Sequence, residues 1–186
     1  MAKIGLNNFR YGILTEGQDG APSYSGAKIP GKAISCSVSI SNNSAALYAD
    51  DTLVESDTSF QSGTITMGID EDDLKTMSEL LGHTYSEEDG IKRNSGDVAP
   101  YVGLGRIVTK MVNNVLKYKV EFLYKVKFGE PSAENSTKGE SVEFATTEIE
   151  GTVNALANGD WSIAKTFDTK EAAVTYLESL LTTTSS

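Results

Sequence analysis

The sequence predicts a mainly β protein, a sandwich or barrel of antiparallel strands with one or two flanking α-helices. Three observations carry this. Between Leu116 and Phe128 every even position is apolar, through Tyr118, Val120, Phe122, Tyr124 and Val126, the period of two that marks a strand. Between Ala33 and Ser41 the alternation is strict, with Ile34, Cys36, Val38 and Ile40 set against Ser35, Ser37, Ser39 and Ser41. Only two segments, near 70–81 and 168–181, space their apolar residues as helices do. Seven or so strands and two short helices follow from these patterns.

In chain order, apolar residues stand at Ile4, Leu6, Phe9, Tyr11, Ile13 and Leu14, interrupted by Asn7-Asn8, and Phe9, Tyr11 and Ile13 suggest a short strand after an irregular start. Residues 15–30 hold Gly17, Gly20, Pro22, Gly26 and Pro30 and read as a loop. The strand from Ala33 ends at Asn42-Asn43-Ser44. Residues 45–62 are acidic and lack a clear core face, which suits a long loop or a protruding hairpin; a structureless loop of that length is usually functional. Ile65, Met67 and Ile69 restore a strand.

Asp70 is the expected N-cap of the first helix, with Asp72 and Asp73 at the positive end of its dipole. Leu74, Met77, Leu80 and Leu81 form its apolar face and Gly82 ends it. Residues 84–100 read as a polar loop turning at Glu87-Glu88-Asp89-Gly90.

Tyr101 to Phe128 reads as one long antiparallel hairpin. Val102, Ile107, Val108, Thr109 and Val112 supply the first strand, and Asn113-Asn114 tolerate the positive φ of a tight turn. Opposite the apolar face of the second strand lie Lys117, Lys119, Glu121, Leu123, Lys125 and Lys127. Residues 129–139 are polar and turn-rich. A strand over 142–153 needs a bulge near Thr146-Thr147 to bring its two apolar phases together. Asn158-Gly159-Asp160 is a turn, and Trp161, Ile163 and Phe167 a short strand. Asp168 with Glu171 resembles a capping box for a last helix, whose face is Ala173, Tyr176, Leu177, Leu180 and Leu181, before a frayed tail from Thr182. The expectation is one domain over 1–186, with a protruding loop at 45–62 and a C-terminal strand–helix extension at 160–181.

Composition narrows the function. The chain has 186 residues, 39% of them apolar, enough to bury a core. It has no apolar run of transmembrane length, and Met1 to Asn8 show no signal-peptide core, so synthesis in a cytoplasm is expected. Without a secretion signal, the sequons at Asn42 and Asn135 are chance matches. A single cysteine, Cys36, excludes an internal disulfide framework and a Cys-rich metal site. The net charge of −10 argues against gripping phosphates, yet suits a surface that nucleic acid passes without sticking.

No residue set points to catalysis, a metal or a cofactor. His83, the only histidine, follows Gly82 at a helix end, where the dipole favours it. Asp70, Asp72 and Asp73 lack the EF-hand glycine and glutamate, since those positions hold Lys75 and Leu81. Gly103-Leu104-Gly105 lacks the third dinucleotide glycine, where Val108 stands, and in a strand such glycines mark a bulge or a close approach. Asp50-Asp51 and Glu148/Glu150 could serve a glycosidase only within a pocket, and surface charge is the commoner role. Lys117, Lys119, Lys125 and Lys127 form either a partner-facing stripe or a solvated face paired with acidic neighbours, in this chain or another copy.

The order of these features resembles the major tail proteins, or tail tube proteins, of long-tailed bacteriophages (siphophages). The resembling segments are Ile4 to Phe9 with Tyr11, Ile29-Pro30-Gly31, Leu47-Tyr48-Ala49-Asp50-Asp51, Leu80-Leu81-Gly82-His83, Pro100 to Gly105, Leu123 to Phe128, Thr137 to Glu140 and Phe144 to Gly151. They span residues 4 to about 153, and Trp161 to Leu181 depart from the pattern. The resemblance implies a tail-tube-like β-sandwich or barrel subunit of the virion, assembled in the host bacterial cytoplasm. It implies homo-oligomeric, hexameric rings, joined by sheet continuation and stacked by loop docking into a tube. The tape-measure protein, tail terminator and distal tail proteins are the implied partners. Genome DNA would pass through without specific binding; no membrane insertion and no catalysis are implied.

On this reading the ring contacts would come from Leu47, Tyr48, Asp50, Asp51, Leu53 and Phe60, and from Lys117, Lys119, Lys125 and Lys127. Glu121 and the Asp50-Asp51 region are candidates for an acidic lumen. Reversing Lys125 and Lys127 to Glu is expected to impair assembly more than folding. The alternative is a monomeric Ig-like binding module recognising protein or carbohydrate through its loops. A carboxylate hydrolase is the third class, and would lose turnover when one acidic pair is changed.

Overall fold

A computed structural model of the chain describes residues 2–17, 21–31, 33–49, 52–69, 73–131 and 147–182. In order these form β1 (Ala2–Glu16), β2 (Pro22–Tyr24), β3 (Ala33–Ala49), β4 (Thr52–Ile69), α1 (Leu74–Leu81), β5 (Thr84–Ser86), β6 (Gly90–Lys92), β7 (Tyr101–Val112), β8 (Val115–Phe128), β9 (Thr147–Asn154), β10 (Ser162–Phe167) and α2 (Lys170–Thr182). The protein is mainly β, with antiparallel pairing throughout and two flanking helices, as predicted. One sheet runs β2-β1-β7-β8-β9-β4-β3, with β10 attached to β8; β5 and β6 pair separately.

The hairpin at its centre forms as the sequence indicates. Asn113 and Asn114 have φ of 50° and 61°, the left-handed pair that a two-residue turn matched to strand twist requires. One expectation fails: the even positions of β8 do not share a face. The ladder passes from Leu104↔Leu123 to Val102↔Val126, so β8 carries one extra residue at Tyr124–Lys125, opposite Gly103. Before this bulge Val120 and Phe122 face one core, whereas Val126 and Phe128 join Leu123 in the other. Leu123, grouped by parity with the lysines, is therefore buried.

The first core lies inside the rolled sheet, where Phe9 and Tyr11 of β1 meet Ile65 and Met67 of β4, Ile149 and Val153 of β9, and Met77, Leu80 and Leu81 of α1. The second lies on the outer face, where Ile107, Val120 and Phe122 are covered by Ala173, Leu177 and Leu181 of α2. The C-terminal helix is thus part of the core. Gly105 makes room for it, since a Cβ there would stand 2.1 Å from Leu177 Cδ1, and Gly103 makes room for Tyr24 of β2, whose ring a Cβ would meet at 2.4 Å.

Other boundaries move. The short first strand is a long one, β1, whose irregularity is a register shift between Asn7 and Arg10 with Asn8 at φ 52°. Asp70 lies outside the described residues; Asp73 caps α1, its Oδ2 accepting from the Thr76 backbone N–H at 3.1 Å and hydroxyl at 2.7 Å. Leu74, placed on the apolar face, is 47% exposed because α1 begins there. The predicted turn at 87–89 joins β5 to β6 within the expected loop. The capping box at Asp168 is replaced: Thr169 Oγ1 accepts from the Ala172 N–H at 3.3 Å, and Asp168 pairs with Lys117. The bulge expected near Thr146-Thr147 falls largely outside the described residues, as do the turn-rich segment from 132 and the tail from 183.

Candidate functional site

The segment 45–62 is a strand pair, not a structureless loop. β3 and β4 pair from Ala33↔Ile69 to Ala49↔Thr52, with register shifts between Ala33 and Ser35, Ser41 and Asn42, and Leu47 and Tyr48. β9 pairs with β4 only over 63–69. Beyond that point, among the described residues, β3 and β4 pair only with each other, so they leave the sheet as a two-stranded arm. From Ile40 to Ala49 it extends about 30 Å at ~3.3 Å per residue. The arm is defined by its backbone ladder and its sequence carries no hydrophobic alternation, which is why side-chain periodicity does not announce it. Leu47 pairs with Glu55 and Tyr48 with Leu53 along the arm; Asp50 and Asp51, between its two strands, lie outside the described residues.

Phe60 anchors the arm instead of facing outward. Its ring stacks on Trp161, with centroids 4.8 Å apart and planes 5° from parallel. Beside this pair opens a cavity of about 220 Å³ between the β3–β4 strands and β8–β10, walled by Val38, Ile40, Ile65, Leu123, Trp161 and Ile163.

One side of that cavity is charged. Arg106 gives Nε–H and Nη2–H to Glu121 Oε2 at 2.8 and 2.6 Å, Lys119 Nζ lies 2.6 Å from Glu121 Oε1, and Arg106 Nη1 is 2.6 Å from Cys36 Sγ. Burial alone would push the Glu121 carboxyl up, but its hydrogen bonds to Lys119 and Arg106 hold it below the usual range. Burial raises the Cys36 thiol above its ordinary value despite the adjacent guanidinium. Glu121, a candidate lumen charge, is thus neutralised by its own neighbours. Counting outward from the Asn113-Asn114 turn places Arg106 opposite Glu121, so this pair was available to sequence reasoning that overlooked it.

The lysine stripe is divided. Lys117 and Lys119 lie on the Leu123 side of β8, paired with Asp168 and Glu121. Beyond the bulge, Lys125 and Lys127 both reach the Tyr101 ring on the opposite side, and Lys125 Nζ also binds Glu16 at 2.5 Å. The bulge reverses the parity of the strand, and no single cationic face survives it. Lys127 borders a polar hollow of about 350 Å³ with Glu130, Glu148 and Glu150. His83 sits between Asp97 and Glu130.

Among the described residues no group of three His, Cys, Asp or Glu side chains could hold a metal ion, and no helix is long and apolar enough to cross a membrane. No protein-family model matches the chain, and no curated protein matches it.

Proposed function

We propose that this protein is a structural virion subunit that polymerises as stacked hexameric rings into the tail tube of a long-tailed phage, forming the conduit for DNA delivery. The observation that carries this reading is the arm. It runs beyond the reach of β9, and along it no third strand, among the described residues, pairs with either outer edge. Such edges are unstable alone and are the usual template for pairing with another chain. The sheet also ends in two strands, β2 and β3, that no ladder joins among the described residues. The net charge of −10 favours passage of a polyanion over its retention.

On this reading the arm, with Leu47, Tyr48, Asp50, Asp51 and Leu53, makes the ring-to-ring contact, and Phe60 fixes its angle through Trp161. Lys117, Lys119 and Lys125 serve the subunit's own fold. The tape-measure, terminator and distal tail proteins are the partners this role requires. Electron microscopy of concentrated purified protein tests the proposal. Tubes with a central channel, absent when 44–58 is replaced by a short turn, are expected. A monomer under every assembly condition, together with absence from virions, would sink it.

A further inference from the structure

We propose that His83 is a proton-operated clasp that fastens the α1–β5–β6 cap to the end of β8. The imidazole is almost wholly enclosed, its side chain 5% exposed. Nδ1 lies 2.7 Å from Asp97 Oδ2, and Nε2 meets Glu130 Oε1 on the far side of the ring. Both partners are carboxylates, which only accept when ionised. A neutral imidazole has one N–H, and so satisfies one of them while turning a lone pair on the other; an imidazolium satisfies both.

The two carboxylates come from different parts of the fold. Asp97 belongs to the turn after β6, where its Oδ2 also accepts the Asn94 backbone N–H at 2.8 Å. Glu130 follows β8. His83 itself is held at the end of α1, its backbone N–H on Ser78 O at 2.9 Å. Met77, Leu80 and Leu81 of α1 and Ile91 of β6 cover the inner core, so the clasp closes a lid of secondary structure over that core.

The charges that meet the ring are Asp97 from the turn after β6 and Glu130 after β8, and Glu130 in turn borders the hollow that Lys127, Glu148 and Glu150 line. Arg93 Nε lies 3.6 Å from Glu130 Oε2. The Asp97 hydrogen bond is the main influence raising the imidazole above its ordinary value of 6.5; burial opposes it and Glu130 adds to it. A group whose folded value is raised stabilises fully below its unfolded value and loses that contribution as pH rises through the folded value. Asp97 is held below its ordinary 3.8, chiefly by His83, so its share is complete above that value and fails only in stronger acid. The clasp is therefore closed below the ordinary imidazole value and opens as pH rises through the raised folded value.

Because His83 is the only histidine, its ring protons can be followed by NMR without assignment ambiguity. The expected midpoint lies above 6.5, and Asp97→Asn and Glu130→Gln each move it down. Amide exchange in α1 and β5–β6, read as the ratio of His83→Gln to wild type, should be high well below 6.5 and approach one once pH has passed the midpoint that NMR reads. Should His83→Gln fail to fold, Glu130→Gln at an exposed carboxylate supplies the same ratio. A midpoint at or below 6.5, or a ratio that does not change with pH, overturns the proposal.

Discussion

Arg106 and Glu121 face each other across the β7–β8 ladder, and the guanidinium gives two hydrogen bonds to a single carboxylate oxygen. Lys119 takes the other oxygen. Glu121→Ala would leave two half-buried cations without their acceptor and should destabilise the fold by about 2–3 kcal/mol in urea unfolding at neutral pH. The pH dependence has a definite sign. A carboxyl held below its ordinary 4.5 stabilises fully above that value and ceases to as pH falls through the lower folded value. The gap between wild type and Glu121→Ala should therefore close in acid.

Lys125 lies against Tyr101 and Glu16 with its side chain only 17% exposed. To the expectation that reversing Lys125 and Lys127 impairs assembly more than folding, these contacts add a folding cost at Lys125. Lys125→Glu sets two carboxylates together and should cost about 1 kcal/mol or somewhat more, the loss shrinking in high salt. Chemical denaturation at two ionic strengths reads this directly.

Leu177 is fully buried over Gly105 and Phe122. Truncation to alanine should cost about 2–5 kcal/mol, the range for a core leucine that its surroundings cannot replace. A loss under ~1 kcal/mol would show that α2 is not anchored in the second core.

Gly82 ends α1 at φ 77°, and a Cβ there would lie 2.2 Å from the Val98 carbonyl oxygen. Backbone cannot yield as a side-chain tip can. Gly82→Ala should lower stability by about 1–3 kcal/mol, measurable as a lower Tm.

Phe60 and Trp161 join the base of the arm to the strand leading into α2. A double-mutant cycle with Phe60→Leu and Trp161→Leu should give a coupling of about 0.5–1.5 kcal/mol. If 60–161 stacking sets the arm's angle, the single variants should also form fewer or shorter tubes at equal folded concentration.

What the sequence reveals and what it conceals have physical reasons. The β7–β8 hairpin is legible because a two-asparagine turn and β-branched alternation agree at every level. The strand around Ile65 and Met67 is legible because one of its faces is buried. The arm is obscure because backbone hydrogen bonds hold it and leave no hydrophobic period. Both helix caps are obscure because Asp and Thr compete for the position within a few residues, and only geometry chooses between Asp70 and Asp73 or Asp168 and Thr169. The lysine stripe misleads for another reason: parity along a strand holds only where no residue is inserted, and Tyr124–Lys125 is such a place.

That extra residue makes β8 unusual in what it can tolerate. Elsewhere in a sheet a change of side chain is the main hazard, and it stays local. Here the count itself carries information, since removing one residue between Leu123 and Val126 would turn Val126 and Phe128 outward and expel both from the inner core at once. Across natural variants of this chain, β8 should accept many substitutions while keeping its length fixed.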